Sequence, residues 1–202
     1  MPQTPLTRIA ANDAKQQSIR DVIQNTVDML GVARIVDVQD AQAFTDFLSD
    51  PRISKPIYTL PNPINQETVT EFIKKHLDER NRGEGLLLAN FNNSQQITGY
   101  YDIQVWPEWS ACELGGAISP EEQSSGKGGS GALATFNWLF DVVGVDLICE
   151  TAALDNIRTA KLLERIGFKY KGEIESTLPG GGTRPSRYWE LSRTDWLKRR
   201  EN

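Results

Sequence analysis

The stretch that decides the fold is Glu113-Leu-Gly-Gly-Ala-Ile-Ser-Pro-Glu-Glu-Gln-Ser-Ser-Gly-Lys-Gly-Gly-Ser-Gly131, and an apolar-periodic segment from Ala132 to Val143 follows it. It contains a strand-like segment, a polar turn rich in glycine and serine, and the start of a helix. The first turn of a helix leaves backbone N–H groups unpaired and carries the positive end of the helix dipole. We therefore expect a phosphate-bearing ligand at this turn.

Composition narrows the class of protein. The 202 residues include 39% hydrophobic and 24% charged side chains and carry a net charge of -5, which is typical of a soluble globular protein and does not favour nucleic-acid binding. No apolar run is long enough to span a bilayer, and residues 1–17 lack the apolar core of a signal peptide. We expect a cytoplasmic protein with no membrane partner. Two cysteines and one histidine predict neither a disulfide framework nor a metal site.

Hydrophobic periodicity predicts the order of the helices and strands. Helices are expected within 13–30, 40–50, 65–77, 132–143 and 155–166, and strands at 33–38, 85–91, 96–106, 111–118, 147–151, 168–175 and 186–192. The three strands between 85 and 118 have short connections, which predicts an antiparallel meander. The strand 147–151 is reached through a helix, so it should run parallel to 111–118. The residues thus predict an α/β fold with a mixed sheet.

Three details of the first half are also predicted. Asp13 and Gln16 have the spacing of a capping box, and the apolar face of the helix that follows is expected to dock on the same domain. That face comprises Ile19, Val22, Ile23, Val27 and Leu30, with Gly31 as the stop. The segment 52–63 is expected to be an ordered loop that lines a cleft, and His76 is interpreted as a structural histidine rather than a catalytic one.

Two nucleotide-binding motifs can be tested against the glycine-rich turn. The segment Gly126-Lys-Gly-Gly-Ser-Gly131 satisfies G-x-G-x-x-G, but Pro120 to Ser125 separate it from the strand and the preceding strands form a meander, which argues against a dinucleotide fold. A P-loop would require glycine in place of Glu121 and a hydroxyl residue in place of Gly128. Neither motif fits its context. A glycine-rich surface loop without a ligand remains the alternative.

The second half of the chain carries two further motifs. The first is Gln123-Ser-Ser-Gly126-Lys-Gly128, which matches Q/R-x-x-G-x-G/A; a register that starts at Ser125 would leave no Gln or Arg at its head. The second is Asp155-Asn156-Ile-Arg-Thr159-Ala-Lys-Leu-Leu-Glu164-Arg-Ile-Gly167-Phe168-Lys-Tyr-Lys-Gly172. With these motifs, the chain resembles the GNAT (general N-acetyltransferase) superfamily, more closely the branch similar to the ribosomal-protein N-terminal acetyltransferases. Residues 1–31 look like an N-terminal helical extension, and 32–202 resemble the acetyltransferase domain.

The resemblance implies a fold and a donor site. The fold would be a mixed, mostly antiparallel central sheet with a V-shaped split between two parallel strands, flanked by helices. Acetyl-CoA would lie in the split as a co-substrate, with no metal. The residues implied in binding it are Ala117 and Ile118 for the pantetheine arm, Gln123, Ser124, Ser125, Gly126, Lys127, Gly128 and Gly129 for the pyrophosphate, and Asn156 for the arm or as a helix cap.

The resemblance also implies an activity, which is transfer of an acetyl group directly to a primary amine. Glu113 is the candidate base, because this branch often has glutamate before a Leu/Ile-Gly pair; a charged residue that faces solvent or pairs with an arginine is the alternative. Many family members have a tyrosine as general acid where Leu163 stands here. Thr159 and Cys149 are the remaining candidates for a catalytic role, although Cys149 also fits a small buried core residue and solvent can supply the proton.

The acceptor is the part that the sequence leaves open. A peptide N-terminus and a small amine both suit an entrance formed by the segments 52–63, 106–109 and 177–186. A non-catalytic acyl-CoA-binding module of the same fold is the alternative function, and the chain is expected to be a monomer or a homodimer.

Overall fold

The sheet and helices come from a computed structural model that describes residues 4–123, 127–178 and 181–201. Within these residues the strands belong to a single sheet. They are β1 (Asp28–Met29), β2 (Ala33–Ile35), β3 (Gly85–Phe91), β4 (Ile97–Trp106), β5 (Ala111–Ile118), β6 (Leu147–Ala153), β7 (Lys169–Thr177) and β8 (Thr183–Ser192). The helices are α1 (Asp13–Asn25), α2 (Ala41–Leu48), α3 (Pro51–Ser54), α4 (Gln66–Arg82), α5 (Pro120–Gln123), α6 (Lys127–Trp138), α7 (Ile157–Ile166) and α8 (Arg193–Arg200).

The eight described strands are arranged in the order β1-β2-β3-β4-β5-β6-β8-β7. All neighbouring pairs are antiparallel except β5 and β6, which run parallel. The prediction of a mixed, mostly antiparallel sheet flanked by helices is therefore confirmed. The meander β3-β4-β5 and the parallel β6 also follow the sequence-based expectation.

Each face of the sheet is covered by its own set of helices. We call the face that packs on α2 and α4 the α4 face; its core includes Phe44, Ile73 and Tyr100. The opposite face, here the α7 face, packs on α1, α6, α7 and α8, and its core includes Ile19 and Leu163. The two faces matter for the site, because successive side chains of a strand point to opposite faces.

The first helix differs in part from the prediction. Helix α1 does bury Ile19 and Ile23 against the α7 face. However, Asn12 rather than Asp13 caps it, because the Asn12 side chain accepts a hydrogen bond from the backbone N–H of Lys15. The helix ends at Asn25, since the chain turns extended at Thr26 and pairs as β1. Val27 and Leu30, which were expected on the helical face, are exposed beside the β1–β2 hairpin.

Several local signals in the sequence are confirmed. Asn65 caps α4 and Gly167 ends α7 in the left-handed region with φ +105°. The prediction of a loop at 52–63 is wrong for its first residues, because 52–54 belong to α3; the loop begins after Ser54. None of the described helices is both long enough and apolar enough to cross a bilayer.

The residues before α1 are bonded to β8 through the carboxylate of Glu190. Glu190 on β8, which is only 3% exposed, accepts hydrogen bonds from the backbone N–H of Thr7 at 2.8 Å and from its hydroxyl at 2.6 Å. The hydroxyl of Tyr188 donates to the same carboxylate at 2.7 Å, and Lys171 lies 3.3 Å from it. Burial alone would raise the pKa of Glu190, but these hydrogen bonds outweigh it and lower the pKa.

We predict that Glu190→Gln lowers the free energy of unfolding by about 1–3 kcal/mol at pH 7, because charge-assisted hydrogen bonds are replaced by weaker ones. A carboxyl whose pKa is lowered by folding stabilises the protein above its unfolded-state pKa. That contribution is lost as the pH falls through the folded-state pKa. Urea unfolding at pH 7 and at pH 3 measures the effect, with Glu175→Gln on an exposed strand position as the control. A difference that does not shrink at the lower pH would contradict the assignment.

Candidate active site

The parallel strands β5 and β6 separate partway along their length. Their pairing consists of Ala111 with Leu147, Cys112 with Ile148, and Glu113 with Cys149. Beyond Glu113, β5 pairs only with β4, and beyond Cys149, β6 pairs only with β8. A split therefore opens between the two strands, and the backbone edges that face it carry hydrogen-bonding groups without a strand partner.

Glycine occupies the β5 side of the split. Gly115 and Gly116 are exposed, and Gly116 has φ +142°, which side chains rarely adopt. A Cβ at Gly116 would overlap the carbonyl oxygen of Tyr100 on β4. Glycine inside a strand often marks a place where another backbone or a ligand approaches closely. Here it lets β4 and β5 approach each other beside the split.

Glu113 lies at the closed end of the split, on the α4 face. The hydroxyl of Thr151 on β6 donates a hydrogen bond to its carboxylate at 2.6 Å. Burial of the carboxyl raises the pKa of Glu113 to about 7; the hydrogen bonds from Thr151 oppose this shift, and the charge of Asp102 adds to it. A carboxylate with such a pKa can accept a proton near neutral pH, which is what the base hypothesis requires.

Two of the three predicted entrance segments meet at Tyr58, next to Thr151. The hydroxyl of Tyr58, from the loop after α3, is 3.4 Å from the Thr151 hydroxyl. The guanidinium of Arg184, on β8, lies over the Tyr58 ring at 3.7 Å from its centroid. Tyr58, Thr151 and Glu113 thus form a polar chain that leads from this loop to the closed end of the split. The sequence alone gave no reason to single out Tyr58 or Thr151.

The third predicted entrance segment was placed wrongly. The turn 106–109 connects the end of β4 to the start of β5, so it lies at the opposite end of β5 from the split. Its Trp109 ring packs near the guanidinium of Arg8, and the carbonyl of Glu108 accepts a hydrogen bond from the Ala11 backbone. The turn therefore contacts the N-terminal residues, because it joins β4 to the start of β5, whereas the split opens towards the other end of β5.

His76 is bonded to Asp102, whose charge acts on Glu113. The ring is 5% exposed; its Nδ1 is 2.8 Å from the Phe72 carbonyl and its Nε2 is 3.1 Å from the Asp102 carboxylate. Burial lowers the pKa of His76, but the hydrogen bond and charge of Asp102 outweigh it, so the net pKa is raised. His76 is held between two acceptors, as a structural histidine would be, and Asp102 connects it electrostatically to Glu113.

Both cysteines lie in the paired part of β5 and β6. Cys112 and Cys149 are 0% exposed, and the Cys149 thiol donates to the Cys112 carbonyl at 3.4 Å. Burial, with the nearby carboxyls, raises the pKa of each thiol well above its usual value. A buried thiol held protonated is a poor nucleophile. The catalytic role of Cys149 stays a prediction that this environment does not favour.

A second carboxyl near the split was not anticipated. Glu150 on β6 is 7% exposed, and its Oε1 has no hydrogen-bond partner among the described residues. Burial, and then the charge of Glu113, raises the pKa of Glu150 well above its usual value, while a hydrogen bond from the Leu114 backbone opposes the shift. The sequence does contain a signal, since Glu150 interrupts an otherwise apolar strand, Leu147-Ile-Cys-Glu-Thr-Ala-Ala153.

Three of the predicted donor-binding residues, Ala117, Ile118 and Gln123, follow the paired part of β5. Ala117 and Ile118 pair with Tyr100 and Gly99 of β4, and their other edge faces the split. The Gln123 side chain donates to the Ile118 carbonyl at 3.0 Å and accepts from Arg158 of α7 at 2.6 Å. It therefore joins the end of β5 to the helix that follows β6.

The remaining predicted residues are placed as follows. Lys127, Gly128 and Gly129 begin α6, whereas Ser124, Ser125 and Gly126 lie outside the described residues. Asn156 caps α7, accepting a hydrogen bond from the Thr159 backbone at 3.1 Å. Thr159 is therefore in the first turn of α7, and Leu163 is buried in the core of the α7 face. Among the described residues no group of three or more metal-ligating side chains is positioned to hold a metal ion.

Comparison with known proteins identifies the family. The model of the acetyltransferase (GNAT) domain matches residues 32–169. The match covers more than half of the chain, so the protein belongs to the GNAT acetyltransferases and is an enzyme of that class. Comparison with curated protein sequences gives no significant match.

Solved structures share the fold at low sequence identity. A ribosomal-protein-S5-alanine acetyltransferase from Vibrio fischeri is 17% identical with a TM-score of 0.66, over 81% of this chain and 93% of that chain. A mutant form of the spermidine N-acetyltransferase from Vibrio cholerae is 17% identical with a TM-score of 0.65, over 83% and 98%. A GCN5-related N-acetyltransferase from Brucella melitensis is 14% identical with a TM-score of 0.65, over 82% and 76%. At these identities the similarity shows the fold alone.

The Thr151 hydrogen bond gives a test of the site that needs no substrate. We predict that Thr151→Val raises the pKa of Glu113 above its value of about 7, because the hydroxyl favours the ionised carboxylate. Thr151→Ser is the matched control, since it keeps the hydroxyl. Carbon-13 NMR titration of labelled glutamate carboxyls measures both variants. Identical titration of the two would show that the hydroxyl does not act on Glu113.

Proposed function

We propose that this protein is an acetyl-CoA-dependent N-acetyltransferase that moves an acetyl group directly to a primary amine. The observation that carries the proposal is a carboxyl with a pKa of about 7, Glu113, at the closed end of the split between β5 and β6. A base is needed there because the attacking nitrogen must lose a proton as the amide forms.

The split suits the donor on chemical grounds. Acetyl-CoA supplies an activated thioester and a long arm that carries amide groups. The unpaired edges of β5 and β6 offer backbone donors and acceptors to such an arm, as a strand partner would. The glycine-rich turn and the start of α6 are the proposed contacts for its phosphates.

Glu113 is the proposed base, and its surroundings support that role. The carboxylate takes the proton from the attacking nitrogen on the α4 face. Thr151 orients the carboxylate by its hydrogen bond, and the hydroxyl of Tyr58, from the loop after α3, lies next to the Thr151 hydroxyl. Holding the amine next to the thioester in a reactive orientation also increases the rate, because the two reactants no longer have to meet in solution.

Direct transfer is favoured over a covalent acyl-enzyme. Cys112 and Cys149 are the two cysteines of the chain. Both are fully buried, and the pKa of each thiol is raised. Neither is prepared to attack a thioester, because the thiolate is the reactive form.

The acceptor is proposed only as a class, a primary amine. The acidic groups Glu113 and Asp102 on the α4 face and the net charge of -5 suit a molecule that arrives as a cation. A peptide N-terminus and a polyamine both meet this description. The structural neighbours named above include one protein acetyltransferase and one spermidine acetyltransferase, so both acceptor types belong in the test.

The test of the proposed function combines binding with turnover. Acetyl-CoA and CoA should raise the midpoint of thermal unfolding, whereas NAD and NADP should not. Thiol release from acetyl-CoA should then depend on one class of amine in a panel of small amines, polyamines and N-terminal peptides. Gly126→Val should reduce the stabilisation by acetyl-CoA, because a side chain blocks the approach of phosphate to the backbone. Stabilisation by NAD alone would contradict the proposal, and binding without release would favour an acyl-CoA-binding module.

The base assignment predicts a pH dependence. With the acceptor that proves active, log(kcat/KM) should rise with unit slope below about pH 7 and level off above it, because only the ionised Glu113 accepts a proton. Glu113→Gln should lower kcat/KM by about 10²–10⁴-fold and abolish this limb. Glu175→Gln, at an exposed position of β7, is the control and should leave both unchanged. An unaltered pH profile in Glu113→Gln would transfer the role of base to another group.

A further inference from the structure

Glu150 lies at the same level of the split as Glu113 but on the other face of the sheet. Its neighbour Thr151 bonds Glu113 on the α4 face, and successive side chains alternate, so Glu150 points to the α7 face. Ile148 and Ala152, two positions away on either side, belong to the apolar core of that face. The carboxyl therefore stands between an apolar core and the split.

The Glu150 carboxyl is directed to the β5 edge of the split. The backbone N–H of Leu114 lies close enough to the carboxyl to oppose the rise in its pKa, and Leu114 is the first residue of β5 beyond the pairing with β6. In a continuous parallel pair, that edge of β5 would bond the neighbouring strand. The Glu150 side chain is therefore next to the part of the β5 edge that has no β6 backbone as its partner.

Two buried polar atoms at this point have no hydrogen-bond partner among the described residues. One is Oε1 of Glu150, and the other is Nε1 of Trp189, the residue of β8 that pairs with Glu150. Trp189 is 0% exposed and Glu150 is 7% exposed. Buried polar atoms are nearly always bonded, so such atoms need an explanation, and a role in chemistry is one of the few available.

The surroundings of Glu150 act on its pKa. Glu113, although it lies on the other face of the sheet, and the thiols of Cys112 and Cys149 are close enough to interact electrostatically with the Glu150 carboxyl. Trp189, across from it on β8, has no charge, and no ion pair with a described residue involves Glu150. Burial and the charge of Glu113 raise the pKa of Glu150 well above its usual value. Both effects favour the protonated form of the Glu150 carboxyl, whereas the hydrogen bonds from Thr151 favour the ionised form of Glu113.

The geometry points to Glu150 as the acid that protonates the departing thiolate, an inference that rests on the proposed acetyl transfer. The ammonium of the acceptor first loses one proton to water. As the nitrogen of the resulting neutral amine bonds to the acyl carbon, a second proton passes from it to Glu113. The carbon–sulfur bond breaks with its electron pair on sulfur, which takes the proton of Glu150. One proton then returns from Glu113 to Glu150 through water, so both carboxyls regain their starting states.

This arrangement gives the two carboxyls separate tasks. Glu113 is on the α4 face, where the loop of Tyr58 provides the entrance, and Glu150 is on the α7 face. The acyl group in the split would lie between them. Groups of the same kind can serve as base and acid when their surroundings hold them in opposite protonation states. Leu163, whose position a tyrosine takes in many relatives, is buried in the core of the α7 face.

The first measurement varies the leaving group. With acetyl-CoA as donor, Glu150→Gln should lower kcat by about 10²–10⁴-fold at nearly unchanged KM for acetyl-CoA. With S-(4-nitrophenyl) thioacetate the loss should nearly vanish, because an aryl thiolate leaves without protonation. Glu113→Gln should lose the same factor with both donors, and Glu175→Gln should lose nothing. Glu150→Asp retains an acid and should keep the donor dependence of the wild type at a lower rate.

The second measurement detects the protonated carboxyl of Glu150 and needs no substrate. Infrared spectra at pH 7 should contain the carbonyl band of a protonated carboxyl that persists in Glu113→Gln and disappears in Glu150→Gln. Thermal unfolding confirms that the variants are folded. If Glu150→Gln does not fold, Glu150→Asp replaces it in both measurements and should shift the infrared band and lower kcat.

The outcomes separate this inference from the proposed function. An equal loss with both donors, no loss with acetyl-CoA, or no protonated carboxyl at Glu150 would overturn Glu150 as the acid and leave the acetyl transfer intact. Absence of thiol release by the wild type with every amine would overturn the proposed function, and the role of Glu150 with it.

Discussion

The site depends on the ending of hydrogen bonds between β5 and β6 after three residue pairs. Two parallel strands inside a sheet would normally continue to pair, which would bury the backbone of both. Where pairing stops, each strand keeps one edge that needs partners, and the sheet gains an internal opening flanked by packed helices. Glycine at 115 and 116 on the β5 side, with the close approach of Gly116 to β4, accompanies this separation.

The opening also explains the unusual state of its carboxyls. Glu113 belongs to the last residue pair of β5 and β6, and Glu150 comes directly after its partner Cys149. The two strands and the cores of both faces therefore shield the carboxyls from water. Desolvation disfavours their charged forms, and each negative charge opposes the other. Thr151 and the Leu114 backbone relieve part of this cost. A protein interior tolerates such groups only at a cost in stability, which is consistent with a catalytic rather than a structural use.

Local signals in the sequence were reliable where a residue acts on its own neighbours. Asn65 and Gly167 mark helix ends through bonds within a few residues, and the strand meander follows from short connections. Val27 and Leu30 misled the helix prediction, because apolar residues in a hairpin can share the spacing of a helical face. The turn 106–109 was assigned to the wrong end of the sheet, since nothing in its composition records the strand direction.

The sequence by itself determined the fold class, because periodicity and the lengths of the strand connections are local properties. Glu113 was named as the candidate base through the resemblance to the GNAT family, and that role stays a prediction. Only the tertiary structure decided what surrounds that carboxyl. Tyr58, Asp102 and Thr151 come from three separate segments. Asp102 and Thr151 are near Glu113 because the sheet order places β4, β5 and β6 side by side, and Tyr58 reaches Thr151 from the loop after α3. The environment of Glu150 likewise follows from three-dimensional packing, since burial and the charge of Glu113 raise its pKa.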